Sequence, residues 1–417
     1  MNTHAIRRGG SFFRAGADSC WSTGSRKVIR RLTLGAALVA SALAARAGTC
    51  TVNFTSNLQT IDGFGFASVF ADVMTSAQAD TFFGTGTGQL GFSLLRVYIS
   101  ETGSFSTDTS NTALAHARGA KVLGTAWTPP PSMKSNNSSV GGSLLASQYG
   151  AYASYLASAA SSIGVDWVSF QNEPDITVTY QSCAWTPAQM ETWVLNNAPT
   201  VGKPIVMPES FHFDDSYSDP TLNNSTADSH ITFVAGHIYG GGNTVHSNAI
   251  SKGKHVWMTE HFNNNQDITT AIADAKEVSD CMNNQMSAYI WWRAYHPTLA
   301  ADDLISGSTP LKNGYAIGQF AKYVRPGKVR CSSTYNPSTN VYVTAYHNNG
   351  VAIVAVNTGG SAVSQTFSLQ NVSGLTTLLV NRTSSSENMA AVTSATVASN
   401  TFTYTLPAQS VTTFHQF

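Results

Sequence analysis

Two glutamates stand at the ends of strand-like apolar runs, and together they could cleave a glycosidic bond. The run 165–171 leads into Asn172-Glu173-Pro174, and a second run ends at Thr259-Glu260. Glycoside cleavage needs one carboxylic acid to protonate the leaving oxygen and one carboxylate to attack the anomeric carbon from the other face. Asn172 could hydrogen-bond the substituent beside the reacting centre. A lone strand-end glutamate is usually a solvated loop residue, but two in this arrangement favour a catalytic pair.

Further side chains at strand ends could support this chemistry. Glu209 is a third strand-end carboxylate and the main rival for a catalytic role, and we interpret it as a supporting residue. Aromatic rings offer flat apolar faces with polar edges to a sugar. Those at strand ends are Trp127, Trp291, Trp292 and Tyr295. Aromatic residues as a class are more often core, and Trp127 is the strongest candidate.

The elements that must position these residues alternate between strand and helix. Helix-like segments such as 146–162 and 267–282 separate eight apolar runs, at 60–67, 92–99, 121–126, 165–171, 204–207, 231–238, 255–259 and 287–292. Such alternation builds parallel sheets, and eight repeats match a (β/α)8 barrel, predicted over 60–325. Active sites of these barrels lie at the carboxyl ends of the strands. A doubly wound open sheet is the alternative, but no GxGxxG motif follows the first run.

The composition changes after Arg330, beyond which only Arg382 and Glu387 are charged. Short alternating or β-branched runs, separated by turn signals, predict an antiparallel β-sandwich side domain over 326–417. We place the linker at 325–327 and expect 48–59 to add a strand to the side domain.

Residues 1–47 have the pattern of an export signal, with a basic segment, an apolar stretch and a small-residue cleavage site. The apolar stretch is too short for a transmembrane helix, so we expect a secreted protein, extracellular or periplasmic. Eight of the 23 basic and one of the 23 acidic residues lie in this segment, which leaves 15 and 22. A mildly acidic protein has no electrostatic reason to bind nucleic acid or an anionic membrane. We expect a monomer acting on a neutral polymer.

Four cysteines follow the signal, at positions 50, 183, 281 and 331. They form no CxxC or Cys/His cluster, so we expect neither a metal site nor a cofactor. In an oxidising compartment one or two disulfides are expected, and four cysteines allow three connectivities. Some of the cysteines could instead be buried and reduced.

The chain resembles glycoside hydrolase family 30, and within it the bacterial xylanase subfamily, subfamily 8. The resemblance covers essentially all of the chain after the signal. It rests on Ile61-Asp62-Gly63-Phe64-Gly65-Phe66, Leu95-Arg96-Val97, Ala126-Trp127-Thr128-Pro129-Pro130, Met133-Lys134-Ser135-Asn136, Gln171-Asn172-Glu173-Pro174, Pro208-Glu209-Ser210, Gly236-His237-Ile238-Tyr239-Gly240, Thr259-Glu260, Trp291-Trp292 and the closing Leu406-Pro407-Ala408-Gln409-Ser410-Val411-Thr412-Thr413-Phe414.

The resemblance implies a retaining hydrolase of xylan, with Glu173 as acid/base and Glu260 as nucleophile. Retention predicts carboxyl groups about 5 to 5.5 Å apart. We expect a raised pKa for Glu173 and an ionised Glu260, which Arg96 would favour and Tyr239 would hydrogen-bond. His237 belongs to the same supporting set. For Arg96 the alternative is a structural ion pair that holds the barrel together.

One stretch departs from the subfamily pattern. Its glucuronate-dependent xylanases carry an arginine a few residues beyond the tryptophan pair, whereas here Arg293 adjoins Trp292. A guanidinium recognises a carboxylate only at the right distance and angle, so we expect no dependence on glucuronate branches. Two alternatives stay open: another activity of the family, of the β-1,6-glucanase or β-glucosidase type, and a carbohydrate-binding protein without turnover.

Overall fold

Eight parallel strands of the chain close into a barrel. The computed structural model describes residues 48–417, which excludes the predicted export signal. In chain order the barrel strands are β2 (Gly63–Ala67), β3 (Leu94–Ile99), β4 (Lys121–Ala126), β5 (Trp167–Ser169), β6 (Ile205–Ser210), β7 (Ile231–His237), β8 (His255–Glu260) and β9 (Ala288–Trp291). Each pairs in parallel with its neighbours, and β9 returns to β2. The predicted (β/α)8 barrel is therefore confirmed.

Helices connect these strands. They are α1 (Ser76–Phe83), α2 (Ser106–His116), α3 (Tyr149–Ile163), α4 (Pro187–Asn197), α5 (Asp219–Asn223), α6 (Ser225–Ser229), α7 (Ser247–Ser251), α8 (Ile268–Asn283) and α9 (Lys312–Tyr323). Local sequence sets their limits. Helix α4 starts with a capping box between Thr186 and Gln189, and α3 stops at Gly164, which adopts a left-handed φ of 85°. In the described part of the chain, no helix is long and apolar enough to cross a membrane.

The barrel interior is packed below the strand ends. Apolar side chains from the barrel strands fill it, among them Leu94, Leu123, Val206, Trp257 and Ile290. A filled interior leaves the carboxyl ends of the strands as the open face, where the loops gather.

A nine-stranded sheet forms the side domain. Its strands are β1 (Thr49–Thr60), β12 (Val329–Ser333), β13 (Val341–His347), β14 (Val351–Asn357), β15 (Val363–Gln370), β16 (Thr377–Thr383), β17 (Ala390–Thr396), β18 (Thr401–Leu406) and β19 (Ser410–Gln416), and a short hairpin of β10 (Ile305–Ser306) and β11 (Thr309–Pro310) precedes α9. All neighbours pair antiparallel except β1 and β15. The sheet folds over itself, because Phe367 of β15 and Phe402 of β18 pack on Phe414 of the distant strand β19 at 5.2 and 5.1 Å.

The expected disulfides do not form. Cys50, Cys183, Cys281 and Cys331 are all free and buried. The register of β1 and β12 places Asn57, not Cys50, opposite Cys331. Cys183 lies in the loop after β5 and Cys281 on α8. All four behave as small apolar core residues.

Candidate active site

The two glutamates reach the same point from different strands. Glu260 is the last residue of β8, whereas Glu173 lies four residues beyond the short strand β5. The backbone turns sharply at Glu173, where φ is 48°, and its N–H donates to the carbonyl of Glu209 at 2.9 Å. Glu209 also has a positive φ, of 53°. A left-handed backbone is uncommon outside glycine, and such outliers concentrate at functional sites.

The two carboxylates lie close together in a buried setting. One oxygen of Glu173, one oxygen of Glu260 and a ring nitrogen of His237 are all within 4.8 Å of one another. Glu173 is 4% and Glu260 6% exposed. Two carboxyl groups this close can act on opposite sides of one bond, with no room between them for a separately activated water.

Glu260 is held by a cation and a hydroxyl. Arg96 Nη1 donates to its Oε2 at 2.6 Å, and the Tyr239 hydroxyl donates to its Oε1 at 3.1 Å. Arg96 is fully buried, and its Nη2 also donates to Asn172 Oδ1 at 2.6 Å. The predicted supporting residues Arg96, Tyr239 and Asn172 therefore converge on the end of β8 and the start of the Glu173 turn.

Glu173 is held by a different pair of donors. The Tyr180 hydroxyl donates to Oε2 at 2.5 Å, and His237 Nδ1 lies 3.0 Å from Oε1. The same Nδ1 is 3.9 Å from Glu260 Oε1, so the fully buried His237 ring bridges the two glutamates.

Glu209 lies beneath the pair and is entirely buried. Its Oε1 is 3.1 Å from Arg96 Nε and 4.0 Å from His237 Nε2, so it contacts both cationic side chains of the site. It shares Arg96 with Glu260. Glu173 and Glu260 line the cavity, whereas Glu209 lies beneath it. Glu209 is therefore a charge partner of Arg96 and not a residue that faces the cavity.

The pKa directions are the reverse of those expected. Burial by itself raises the pKa of Glu173, but the hydrogen bond and charge of His237 and the hydroxyl of Tyr180 hold it below its ordinary value. Burial raises the pKa of Glu260 by more than His237 and Arg96 lower it. The pKa of His237 is raised, because Glu260 and Glu173 outweigh the effect of its own burial. Glu173 and Glu260 each contact two donors, but Glu260 shares the positive charge of Arg96 with Glu209.

An aromatic cavity of about 510 Å³ opens over the two glutamates. Seven aromatic side chains line it, namely Phe70, Trp127, Tyr180, Phe211, Tyr239, Phe262 and Trp292. Trp127 lies over the Arg96 guanidinium, whose Cζ is 4.6 Å from a ring centroid, and packs 5.8 Å from Trp292. Apolar flat walls with a few polar groups at the base suit stacked sugar rings.

Three residues at the end of β9 or just beyond it were expected to bind substrate but do not line the cavity. Trp291 is fully buried in the barrel core, and its Nε1 donates to the carbonyl of Asp302 at 2.7 Å. Tyr295 is buried too, and its hydroxyl donates to the carbonyl of Asp72 at 2.6 Å. The Arg293 guanidinium lies 3.4 Å from the carbonyl of Phe70. Of the three aromatic residues predicted at this strand end, Trp291, Trp292 and Tyr295, only Trp292 lines the cavity.

Four cavity residues were not predicted from the sequence, namely Phe70, Tyr180, Phe211 and Phe262. Phe211 and Phe262 each come one or two residues after a strand end, so an aromatic just beyond a barrel strand was the available signal. Tyr180 gives no such signal, because it lies seven residues beyond Glu173 in an irregular segment.

Two groups of described residues are spaced closely enough to hold a cation. They are Glu173, His237 and Glu260, and His296, Asp302 and Asp303. In the first group, Arg96 already supplies positive charge to Glu260 at 2.6 Å, and a metal ion would compete with it. In the second, Arg293 Nε lies 3.9 Å from Asp302. We assign no metal to either.

Comparison with known proteins was made at the level of sequence and of structure. No family model matches the chain. Glucuronoxylanase XynC of Bacillus subtilis strain 168 is 36% identical over 399 residues, which cover 88% of this chain and 92% of that protein. The glycoside hydrolase family 30 subfamily 8 xylanase Xyn30A of Clostridium acetobutylicum superposes with a TM-score of 0.83 at 35% identity, covering 88% of this chain and 99% of the other.

A second solved structure agrees. The GH30 endoxylanase of Clostridium papyrosolvens C71 superposes with a TM-score of 0.80 at 36% identity and covers 88% of this chain and 99% of that one. The chain belongs to glycoside hydrolase family 30, in the xylanase subfamily 8.

Proposed function

We propose that this protein is a retaining endo-β-1,4-xylanase with Glu173 as acid/base and Glu260 as nucleophile. The observation that carries the proposal is the pair of carboxylate oxygens within 4.8 Å at the base of an aromatic cavity. The spacing suits retention, for which carboxyl groups lie about 5 to 5.5 Å apart. Xylan as substrate is supported by the names of relatives at 35–36% identity.

In the first step, Glu173 gives its proton to the glycosidic oxygen as Glu260 attacks the anomeric carbon. The bond to the leaving sugar breaks, and a glycosyl ester forms on Glu260. Arg96 and Tyr239 fix the direction of the Glu260 carboxylate, since each donates to a different oxygen. In the second step, ionised Glu173 takes a proton from water, whose oxygen displaces Glu260 and restores both groups.

The same residues explain the choice of roles. Glu260 contacts a permanent cation, which suits a group that attacks as an anion. Glu173 instead contacts the titratable side chains of His237 and Tyr180, neither of which is a permanent cation. Glu173 must gain and lose a proton in each cycle, so partners without a permanent charge suit it.

We further propose that the enzyme does not depend on glucuronate branches. Arg293 donates to the carbonyls of Val69 and Phe70 at 3.5 and 3.4 Å and lies 3.9 Å from Asp302. A guanidinium engaged with its own protein is a poor candidate for pairing with a substrate carboxylate.

Replacement of each glutamate tests the mechanism. We expect Glu260→Gln to stop hydrolysis of linear xylan, because an amide cannot form the glycosyl ester. We expect Glu173→Ala to fail on xylan but to release the aryl group of an aryl xylobioside with a good leaving group in a burst, because that step needs no proton. Turnover should then be slow, because the second step has lost its base. Glu191→Gln on α4, whose carboxylate accepts from Asn224 instead, is the matched control. A Glu260→Gln variant that hydrolyses linear xylan at the wild-type rate would refute the proposed mechanism.

Retention of configuration and the identity of the substrate are tested by separate measurements. A 2-fluoroxylobioside with a good leaving group should label Glu260 covalently, and mass spectrometry of the digested protein identifies the site. Product sizing on linear xylan, glucuronoxylan and arabinoxylan tests endo cleavage. No release from any xylan would refute the proposed substrate.

Export is also proposed, on the pattern of residues 1–47. Expression of the full chain in a bacterial host, followed by amino-terminal sequencing of the exported protein, should show cleavage near Gly48. Retention of an intact amino terminus inside the cell would contradict it.

A further inference from the structure

Tyr180 contacts Glu173 but takes no part in the two proposed steps. Its ring lines the cavity and is 41% exposed, and its hydroxyl donates to Glu173 Oε2 at 2.5 Å. The other Glu173 oxygen faces His237. Both oxygens of the proposed acid/base are therefore occupied by donors in the free protein.

A short series of hydrogen bonds holds Tyr180 in this place. The Ser182 hydroxyl donates to the carbonyl of Tyr180 at 3.0 Å. Lys134 Nζ donates to the carbonyl of Ser182 at 2.6 Å and to the hydroxyl of Thr128 at 2.7 Å. Thr128 follows Trp127, so Lys134 joins the loop after β4 to the loop that carries Tyr180.

Lys134 is an unusual residue in this position. It is 3% exposed, and within residues 48–417 no carboxylate lies within 4.0 Å of its ammonium group. Burial lowers its pKa, against the smaller effects of Cys183 and Glu101. A buried charge without a counter-charge is costly. Its ammonium group donates instead to two oxygens, one in each of two cavity loops, and so holds one loop against the other.

We propose that Tyr180 sets the pH range of the reaction by donating a hydrogen bond to Glu173, and that Lys134 is the positioning residue that holds Tyr180 there. The proposal rests on the proposed function, in which Glu173 gives a proton in one step and takes one in the next. A donor on a carboxylate favours its ionised form. Tyr180 therefore moves both proton exchanges of Glu173 to lower pH.

The other groups around Glu173 stay in place when Tyr180 changes. Those that face it from neighbouring elements are Arg96 of β3, Asp175 in the same loop, Glu209 of β6, His237 of β7, Tyr239 in the loop after β7, and Glu260 of β8. Removal of the single hydroxyl in Tyr180→Phe leaves all of them unaltered, so a change in titration of Glu173 reports on that hydrogen bond.

The first test reads the protonation of Glu173 directly. Carboxyl carbon-13 NMR of the labelled protein, with Glu173→Gln to identify the signal, should give a pKa about one unit higher in Tyr180→Phe, as expected for loss of one charged hydrogen bond at a partly exposed site. Tyr404→Phe is the control, because that hydroxyl donates to the Thr393 carbonyl in the side domain. An unchanged Glu173 titration in Tyr180→Phe would overturn the proposal.

The second test reads the reaction. In Tyr180→Phe, the basic limb of kcat/KM on xylan should move to higher pH, because Glu173 keeps its proton longer. The acidic limb of kcat on an activated aryl xylobioside should also move to higher pH, because that rate needs ionised Glu173. A lower rate with both limbs unmoved would indicate a structural role only and overturn the proposal.

The positioning role of Lys134 is tested by a separate set of variants. Lys134→Met should move the limbs in the same direction as Tyr180→Phe but by less, and the double variant should move them no further than Tyr180→Phe alone. Full additivity would overturn it. If Lys134→Met does not fold, Ser182→Ala removes the next contact in the series. A wild-type protein inactive on every xylan would defeat the proposed function, while the NMR experiment would still decide the Tyr180 contact.

Discussion

Removal of Arg96 should damage the protein mainly by stranding buried negative charge. Arg96 is fully buried, 2.6 Å from Glu260 and 3.1 Å from the equally buried Glu209. Breaking a buried pair by removing one partner costs about 3 to 5 kcal/mol. For a chain of this length, Arg96→Met should lower the melting temperature by roughly 5 to 10 °C. The surface arginine Arg118, which pairs with an exposed Asp80, is the control, because such pairs contribute about 0 to 1 kcal/mol.

A double variant separates stranded charge from lost packing. If the cost comes from the carboxylates, then Glu209→Gln added to Arg96→Met removes one of the two stranded charges and should restore about half of the lost melting temperature. Differential scanning calorimetry at one fixed scan rate measures both variants beside Arg118→Met. A double variant no more stable than Arg96→Met would refute the reasoning, because packing loss alone predicts no recovery. Hydrolysis should stay low in both, since Glu260 has lost its cation.

Four further outcomes are expected. Trp127→Phe should lower kcat/KM on xylo-oligosaccharides several-fold, because the smaller ring loses stacking area, and Arg293→Met should leave the ratio of kcat/KM on glucuronoxylan to that on linear xylan unchanged. Asp62 raises the pKa of His255 by a hydrogen bond, so the stabilisation is present below the unfolded pKa and is lost as pH rises through the folded one; His255→Gln should therefore lower the melting temperature more at pH 5 than at pH 8.5. A reductant should leave the melting temperature of 48–417 unchanged, because its four cysteines are free; a drop would contradict this.

The alternation of apolar runs and helix-like segments in the sequence predicts the barrel. The observed strand limits differ from the predicted ones next to the active site. The fourth apolar run spans 165–171, but the strand is only Trp167–Ser169. Phe170 and the residues after it no longer pair with the neighbouring barrel strands, and the backbone turns sharply at Glu173. The hydrophobicity of the run does not indicate such a turn. Strand β17, Ala390–Thr396, has no apolar pattern in the sequence, because it is an edge strand of mostly exposed small residues.

The two central glutamates were predictable because strand ends in a barrel converge whatever the loops do. The aromatic assignments were less secure, since they depend on where a loop turns after the strand. Trp291 and Tyr295 point into the core, whereas Trp292 between them in the chain lines the cavity. Tyr180 and Lys134 could not be assigned from sequence, because their contacts join loops that only the folded chain brings together.

The reversed pKa directions follow from the charge count of the site. Three buried carboxylates, those of Glu173, Glu209 and Glu260, surround Arg96 and His237, whose raised pKa favours the protonated ring. With every carboxylate ionised the group carries a net negative charge, which burial penalises, so one added proton completes the balance. In the free protein the donors on Glu173 favour placing that proton elsewhere. The first proposed step needs that proton on Glu173, so substrate binding must change this balance before the glycosidic bond breaks.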